Sequence, residues 1–201
     1  TAQIQLGTYA LNGVSSYDFK SWTSSPNGGT DGNISNDSAR NLGMISALTG
    51  TYTIGGTTPD FNTFQDARTA LVTRGVCGPV VFNIRNGLYT EQVSVNQITG
   101  SSSTNTITFQ SQSGDSSLVV LDNPSGNGGF TNNYALQLNG TDWITFKKMT
   151  ISRSGNNYYA TVVEVKGGAT NNNFLNNRII GTRYQNTSNY FSLVYSAGDI
   201  D

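Results

Sequence analysis

Apolar residues recur along this chain with two periods. From Asn62 to Arg74 they fall three and four apart, placing Phe61, Phe64, Ala67, Ala70 and Leu71 on one face. That spacing predicts a helix, and Gly75 just beyond it suits a C-cap that needs positive φ. Elsewhere the pattern alternates. Val80, Phe82 and Ile84 predict a strand over Val80–Ile84, Asn86-Gly87 turns the chain, and Gln92 to Val95 is strand again. The alternation then repeats loosely. Ile107 and Phe109 are followed by Val119 and Leu121 (or Leu118 and Val120). Leu136 and Leu138 are followed by Ile144 and Phe146, then Met149 to Ile151. Val163 and Val165 are followed by Phe174 and Ile179. Asn139-Gly140 and Lys166-Gly167 hold equivalent places about 27 residues apart, the length of a long solenoid repeat.

A helix leading into stacked short strands predicts an all-β fold, a right-handed parallel β-helix with a short N-terminal capping α-helix. Such a solenoid needs covered ends, because an open rung leaves apolar groups and strand edges in water. A β-sandwich is the alternative that short, evenly spaced strands allow. Residues 51–201 are read as the solenoid and residues 1–50 as an N-terminal extension. In that extension Ile4, Leu6 and Leu11 suggest one or two strands, Trp22 to Asn33 a polar loop, and Leu42 to Leu48 a strand or short helix. Thr1 reads as a processed N-terminus, since the first six residues already alternate. At the far end Phe191 to Tyr195 still alternates, so the expectation is an incomplete solenoid whose last rung a partner chain, a further domain or the extension covers.

The stretch from Pro59 through Phe82-Asn83-Ile84-Arg85-Asn86-Gly87-Leu88-Tyr89-Thr90-Glu91-Gln92-Val93 resembles the entry of pectinesterase-like and pectate-lyase-like β-helix proteins. In those proteins a D-F-x-T-I-x-x-A helix precedes a G-x-Y-x-E strand pair. The resemblance runs over roughly Thr51 to Asp201 and implies that Glu91 has a structural role. The pectinesterase catalytic segments (a Gln-bearing strand, Q-D-T-L, D-F-I-F-G, G-R-P-W) have no counterpart here, so that activity is not expected. The wording around Gly75 to Val95, with its Asn/Gly/Ser/Thr-rich continuation, is also similar to large secreted surface proteins of Bacteroidota. That likeness implies export by the type 9 route and a secreted or cell-surface location.

Composition narrows the function further. Only 11% of residues are charged, the net charge is −1, and there is no His. Near-zero charge argues against nucleic acid, and Lys147-Lys148, the one basic pair, reads as a solvated turn. No apolar run is long enough to span a membrane. The lack of His removes Ser-His-Asp triads and most zinc sites. Cys77 has no His to activate it and is expected to be a small buried apolar residue.

Three acids stand in the middle of the predicted solenoid: Asp122, Asp142 and Glu164. Asp142 follows Asn139-Gly140 and reads as turn chemistry, while Glu164 is expected to face Gln137 outward from adjacent rungs. Two opposed carboxylates suited to glycoside cleavage are not identifiable, so no catalytic residue, cofactor or metal is assigned. Asp31 to Asp37 alternates oxygen-bearing side chains but lacks a closing Glu, and reads as a polar turn. Asn171 to Asn173, Asn176 and Asn177 are expected to bind neighbouring backbone in turns. Tyr134, Trp143, Tyr158, Tyr159, Tyr184, Tyr190 and Tyr195 cluster in the second half. Exposed rings stack on sugars, so the candidate glycan contacts are Tyr158, Tyr159, Tyr184, Gln137 and Glu164. Asp37-Ser38-Ala39 makes Ser38 an O-glycosylation candidate. The functional expectation is a structural, adhesive or glycan-binding module, alternatively the non-catalytic part of a polysaccharide-active enzyme. An ice-binding solenoid is a further option, but it requires Thr rows, and Thr51 and Thr108 are not expected to align.

Overall fold

The computed structural model describes residues 16–22, 29–30, 32–33, 35, 37–125, 132–155, 159–182 and 191–196. The chain forms two compact units, 1–47 and 48–201. In the first, β1 (Ser16–Trp22) and β2 (Ser38–Ile45) make an antiparallel ribbon. Asp18 secures it by accepting the Gly43 amide at 2.9 Å. Trp22 therefore ends a strand instead of opening a loop. The apolar stretch from Leu42 is strand, with a break before Leu48. Ile4, Leu6 and Leu11 lie outside the described residues.

The second unit is a parallel β-helix. β3 (Leu48–Ile54) and α1 (Phe64–Arg74) lead into four rungs of three strands each. The first rung is β4 (Val76–Ile84), β5 (Gly87–Thr90) and β6 (Val93–Asn96), and the second is β7 (Ile107–Ser111), β8 (Val119–Asp122) and β9 (Tyr134–Asn139). The third is β10 (Ile144–Lys147), β11 (Thr150–Ser152) and β12 (Ala160–Lys166), and the fourth is β13 (Asn173–Leu175), β14 (Arg178–Ile180) and β15 (Phe191–Ser196). The first sheet stacks β3-β4-β7-β10-β13, the second β5-β8-β11-β14, and the third β6-β9-β12-β15. Every pairing within them is parallel, which rules out the sandwich.

Register rather than propensity explains the core. Tyr52, Phe82, Phe109, Phe146 and Phe174 occupy one inward row. Their rings lie 5.8, 4.6, 5.2 and 5.5 Å apart in turn, the last three contacts stacked. Each such pair contributes about 0.5–1.5 kcal/mol beyond area burial. The second sheet aligns Tyr89, Leu121, Ile151 and Ile179, and the third aligns Val93, Leu136, Val163 and Val194. Asn172 and Asn177 clamp the turns as expected, whereas Asn173 opens β13 and does not lie in a turn. Asn172 accepts the Ile144 amide at 3.0 Å and donates to Thr141 O at 2.8 Å. Asn177 accepts the Met149 amide at 3.1 Å and donates to Phe146 O at 2.8 Å.

Helix α1 seals the first rung with Phe64, Ala67 and Leu71. It begins at Phe64, two residues later than the apolar spacing predicts, because Thr63 and Asp66 form a capping box. Thr63 Oγ1 accepts the Asp66 amide at 3.0 Å and Asp66 accepts the Thr63 amide at 3.1 Å. Gly75 has φ 66°, and a Cβ there would stand 2.6 Å from Thr99 O, so glycine is required twice over. β4 starts at Val76, earlier than the Val80 expected, because Val76 pairs with Leu48. Cys77 lies on this added segment and is exposed, which corrects the expectation of a buried residue. Outward on the first sheet, Thr51, Val81, Thr108, Thr145 and Asn173 share a row. Thr51 and Thr108 thus do align, two rungs apart. The row beside it reads Thr53, Asn83, Gln110, Lys147 and Leu175, which is not a threonine array.

Candidate functional site

The outward face of the third sheet gathers the sequence candidates that the structure describes. Ser94, Gln137, Glu164 and Tyr195 form a single row, one residue per rung. Gln137 and Glu164 therefore meet across adjacent strands, as expected. The Gln137 amide is bound at both ends: Oε1 accepts from Ser94 Oγ at 2.6 Å and Nε2 donates to Glu164 Oε2. Gln137 is only 4% exposed, so it holds Glu164 in place more than it meets a ligand. Glu164 borders a crevice of about 10 Å³ together with Asn133, Tyr134, Thr161 and Tyr195. That space holds about one water.

Tyr134 reaches the crevice through backbone ties. Its carbonyl accepts from Asn123 Nδ2 at 2.8 Å and Gln92 Nε2 at 3.0 Å. Burial, opposed by a Ser94 hydrogen bond and aided by the Glu164 charge, pushes its phenol pKa above the usual value. The hydroxyl thus stays protonated through neutral pH, beside a carboxylate. Tyr159, just before β12, is half-buried. Tyr158, Tyr184 and Tyr190 lie outside the described residues.

A polar corner adjoins this face. Arg153 is fully buried; it donates to Asn123 O through Nη1 and to Asn133 Oδ1 at 2.9 Å through Nη2. Its Nε has no partner. Desolvation lowers the guanidinium pKa, and the charge of Asp122 opposes that shift. Asp122 ends β8 and accepts Ser152 Oγ and Ser154 Oγ, each at 2.6 Å. Sequence reasoning missed this cluster, because Arg153 follows an alternating strand and looks like a solvated residue. Asp142 behaves as turn chemistry, accepting the Thr170 amide at 2.6 Å and its hydroxyl at 2.7 Å.

The remaining sequence candidates fall elsewhere. Ser38 opens β2 and is exposed. Asp31 and Asn36 lie outside the described residues, and no cluster of three or more acids or thiols that could hold a metal occurs among the described ones. Among those residues, no helix is long and apolar enough to cross a membrane.

These features define a parallel β-helix protein with a polar outer sheet. A crystal structure of the pectin methylesterase from Aspergillus niger has a similar fold, with a TM-score of 0.53 and 17% identity over 76% of this chain. The chain spans about half, 48%, of that protein's length. At this identity the likeness concerns the fold. No family model matches the chain, and no curated protein matches it in sequence.

Proposed function

We propose that this chain is a non-catalytic module of a secreted or cell-surface protein, with its solenoid acting as a rigid support for glycan contact. The observation that carries the reading is the crevice on the third sheet, where Glu164, Tyr134 and Tyr195 converge with Asn133 and Thr161. The crevice is too small to admit a sugar. A sugar ring lies across its mouth, giving hydroxyl hydrogen bonds to Glu164 and an apolar face to an aromatic ring. Tyr159, just before β12, extends the contact. The low charge and the abundance of Asn, Ser, Thr and Gly support an extracellular setting, and Ser38 is the proposed O-glycan acceptor.

A second reading, the non-catalytic part of a polysaccharide-active enzyme, draws support from the fold shared with the pectin methylesterase. In either reading, a partner chain or further domain covers the fourth rung, where Leu175, Ile180, Leu193 and Val194 are exposed. The mixed row beside Thr51 and Thr108 gives an ice-binding reading little support.

A glycan array tests the proposal. Glu164→Ala and Tyr195→Ala should each reduce retention of bound oligosaccharides while leaving the melting temperature near that of the parent. Unchanged retention by both variants, with the fold intact, would sink it. Release of methanol from methylated pectin would instead show an active enzyme.

A further inference from the structure

The three sheets are not closed alike at the helix end of the solenoid. In the first sheet β3 lies against β4. In the third, α1 packs beside β6, and Arg68 Nε donates to the Ser94 carbonyl at 2.7 Å. The second sheet begins at β5, which has no strand on its far side. Gly87 donates its amide to Leu118 O at 2.8 Å, and Glu91 donates to Asp122 O at 3.0 Å. Backbone groups alternate sides along a parallel strand, so Tyr89 also faces β8 while Leu88 and Thr90 turn their N–H and C=O groups away from it. The backbones of Leu88 and Thr90 have no hydrogen-bond partner among the described residues.

This edge has room beside it. It borders an open hollow of about 370 Å³, whose remaining lining comes from Gly55, Gly56, Asn62 and Thr63. Ligand pockets start at roughly 300 Å³. β5 also lacks the devices that blunt an exposed edge, for it has no Pro, no Lys and no bulge. Its Leu88 side chain is 68% exposed. A second hollow, of about 400 Å³, shares Asn86 with the first and is lined by Arg85. Arg85 Nη1 donates to the carbonyls of Gly55, at 3.2 Å, and Thr57, which fixes the guanidinium at the entry to β5. Its Nε and Nη2 have no hydrogen-bond partner among the described residues.

We propose that the free edge of β5 takes up an extended, acidic peptide segment of a partner protein by strand addition, with a carboxylate of that segment on Arg85. Leu88 and Thr90 supply two donors and two acceptors at strand spacing. In this mode main-chain bonds provide affinity and alternate side chains provide selectivity. The outward side chain lies beside Leu88 and is apolar. The inward one lies over Tyr89, where space is tight: a Cβ on Gly55 would stand 2.1 Å from the Tyr89 hydroxyl. It is therefore small. The free guanidinium donors of Arg85 suit a carboxylate. A sugar chain fits this edge poorly, because it has no alternating N–H and C=O groups to continue the ladder. The edge belongs to the second sheet and the Glu164 crevice to the third, so the inference stands whether or not that crevice binds glycan.

The test is binding of two fluorescein-labelled hexapeptides to the whole chain, read by fluorescence anisotropy. Both alternate Ala and Val; one carries Asp at its first position and the other at its last. At least one should bind, and the tighter of the two gives the direction of the added strand. Changing its Asp to Asn should weaken binding about tenfold, the worth of one charge-assisted hydrogen bond. N-methylation of one alternate set of its backbone amides should abolish binding, and N-methylation of the other set should not, because only one set faces β5. Amide exchange followed by NMR should slow at Leu88 and Thr90 and stay unchanged at Tyr89. Thr90→Pro removes a donor from the free side and no bond to β8, so it should weaken binding about tenfold or more with the melting temperature near that of the parent. Should that variant prove unstable, the methylated peptides decide. Glu164→Ala should leave peptide binding unchanged. The proposal is overturned if neither peptide binds or if both methylated sets bind as tightly as the unmodified peptide. A dimer in light scattering that Thr90→Pro dissociates would also overturn it, assigning the edge to a second copy of the chain.

Discussion

Glu91 holds the start of helix α1 from a position 27 residues further along the chain: its Oε1 accepts the Phe64 amide at 3.1 Å. Oε2 takes the next amide, Gln65, at 2.9 Å. Two orphan donors and the positive end of the helix dipole are thus met by one carboxylate. Glu91→Ala should cost about 1–2 kcal/mol, read as a lower midpoint in urea denaturation. Glu91→Gln should lose less, since it keeps an acceptor. Equal stability of all three proteins would show that the cap does not depend on this contact.

The aromatic row makes a graded prediction. Phe109 is sandwiched between Phe82 and Phe146, while Phe174 stacks on Phe146 and is only partly buried. Phe109→Ala should cost about 3–5 kcal/mol, and Phe174→Ala clearly less. Chemical denaturation of the two variants side by side checks the order; a larger loss at Phe174 would contradict it.

Arg153 should tolerate no simple truncation. Arg153→Ala leaves Asn123 O and Asn133 Oδ1 without their donors and Asp122 without its neighbouring charge, a loss of about 3 kcal/mol. Arg153→Lys should not restore it, because a point charge cannot serve both acceptors in the planar arrangement. Full rescue by Lys in a thermal melt would show that charge alone matters.

Asp115 gives a pH dependence. Hydrogen bonds from the Ser117 side chain and backbone, the largest influences, lower its carboxyl pKa below the ordinary 3.8. A carboxyl depressed in the folded state adds stability above its unfolded pKa, and that contribution fades as pH falls through the folded value. Asp115→Asn should therefore be less stable than the parent at pH 7, and the gap should close in strongly acidic solution. A gap that stays constant from neutral pH to below pH 3 would assign the effect to something other than ionisation.

Much of this architecture is written in local spacing. The three- and four-residue periodicity located α1, and Val80, Phe82 and Ile84 located the inward face of β4. Asn139-Gly140 and Lys166-Gly167 revealed a true rung step, for Lys166 does pair with Asn139. The start of α1 was also legible, in Thr63 and Asp66, but the apolar period alone overran it by two residues. What stayed hidden depends on contacts between distant positions. Cys77 looks like a core residue until Val76 is seen to pair with Leu48, which turns the next side chain outward. Gln137 and Glu164 were placed correctly, yet nothing in the local pattern shows that Gln137 is buried with both ends of its amide bound. Arg153 is hydrogen-bonded by Asn123 and Asn133, residues 30 and 20 positions away.

The uneven length of the rungs has a consequence of its own. On the first sheet, Val80 aligns with Ile107, and Ile107 with Ile144. The first step is 27 residues and the second 37, yet the facing strands stay in register. The surplus is carried in the connections, so the winding works as an address system in which inward positions are fixed and corner text is editable. Lengthening a corner is thermodynamically mild, whereas slipping a strand by one residue would turn that strand's ring in the Phe82–Phe174 row outward. A lineage using this scaffold can therefore rewrite what one edge presents to its surroundings without disturbing another.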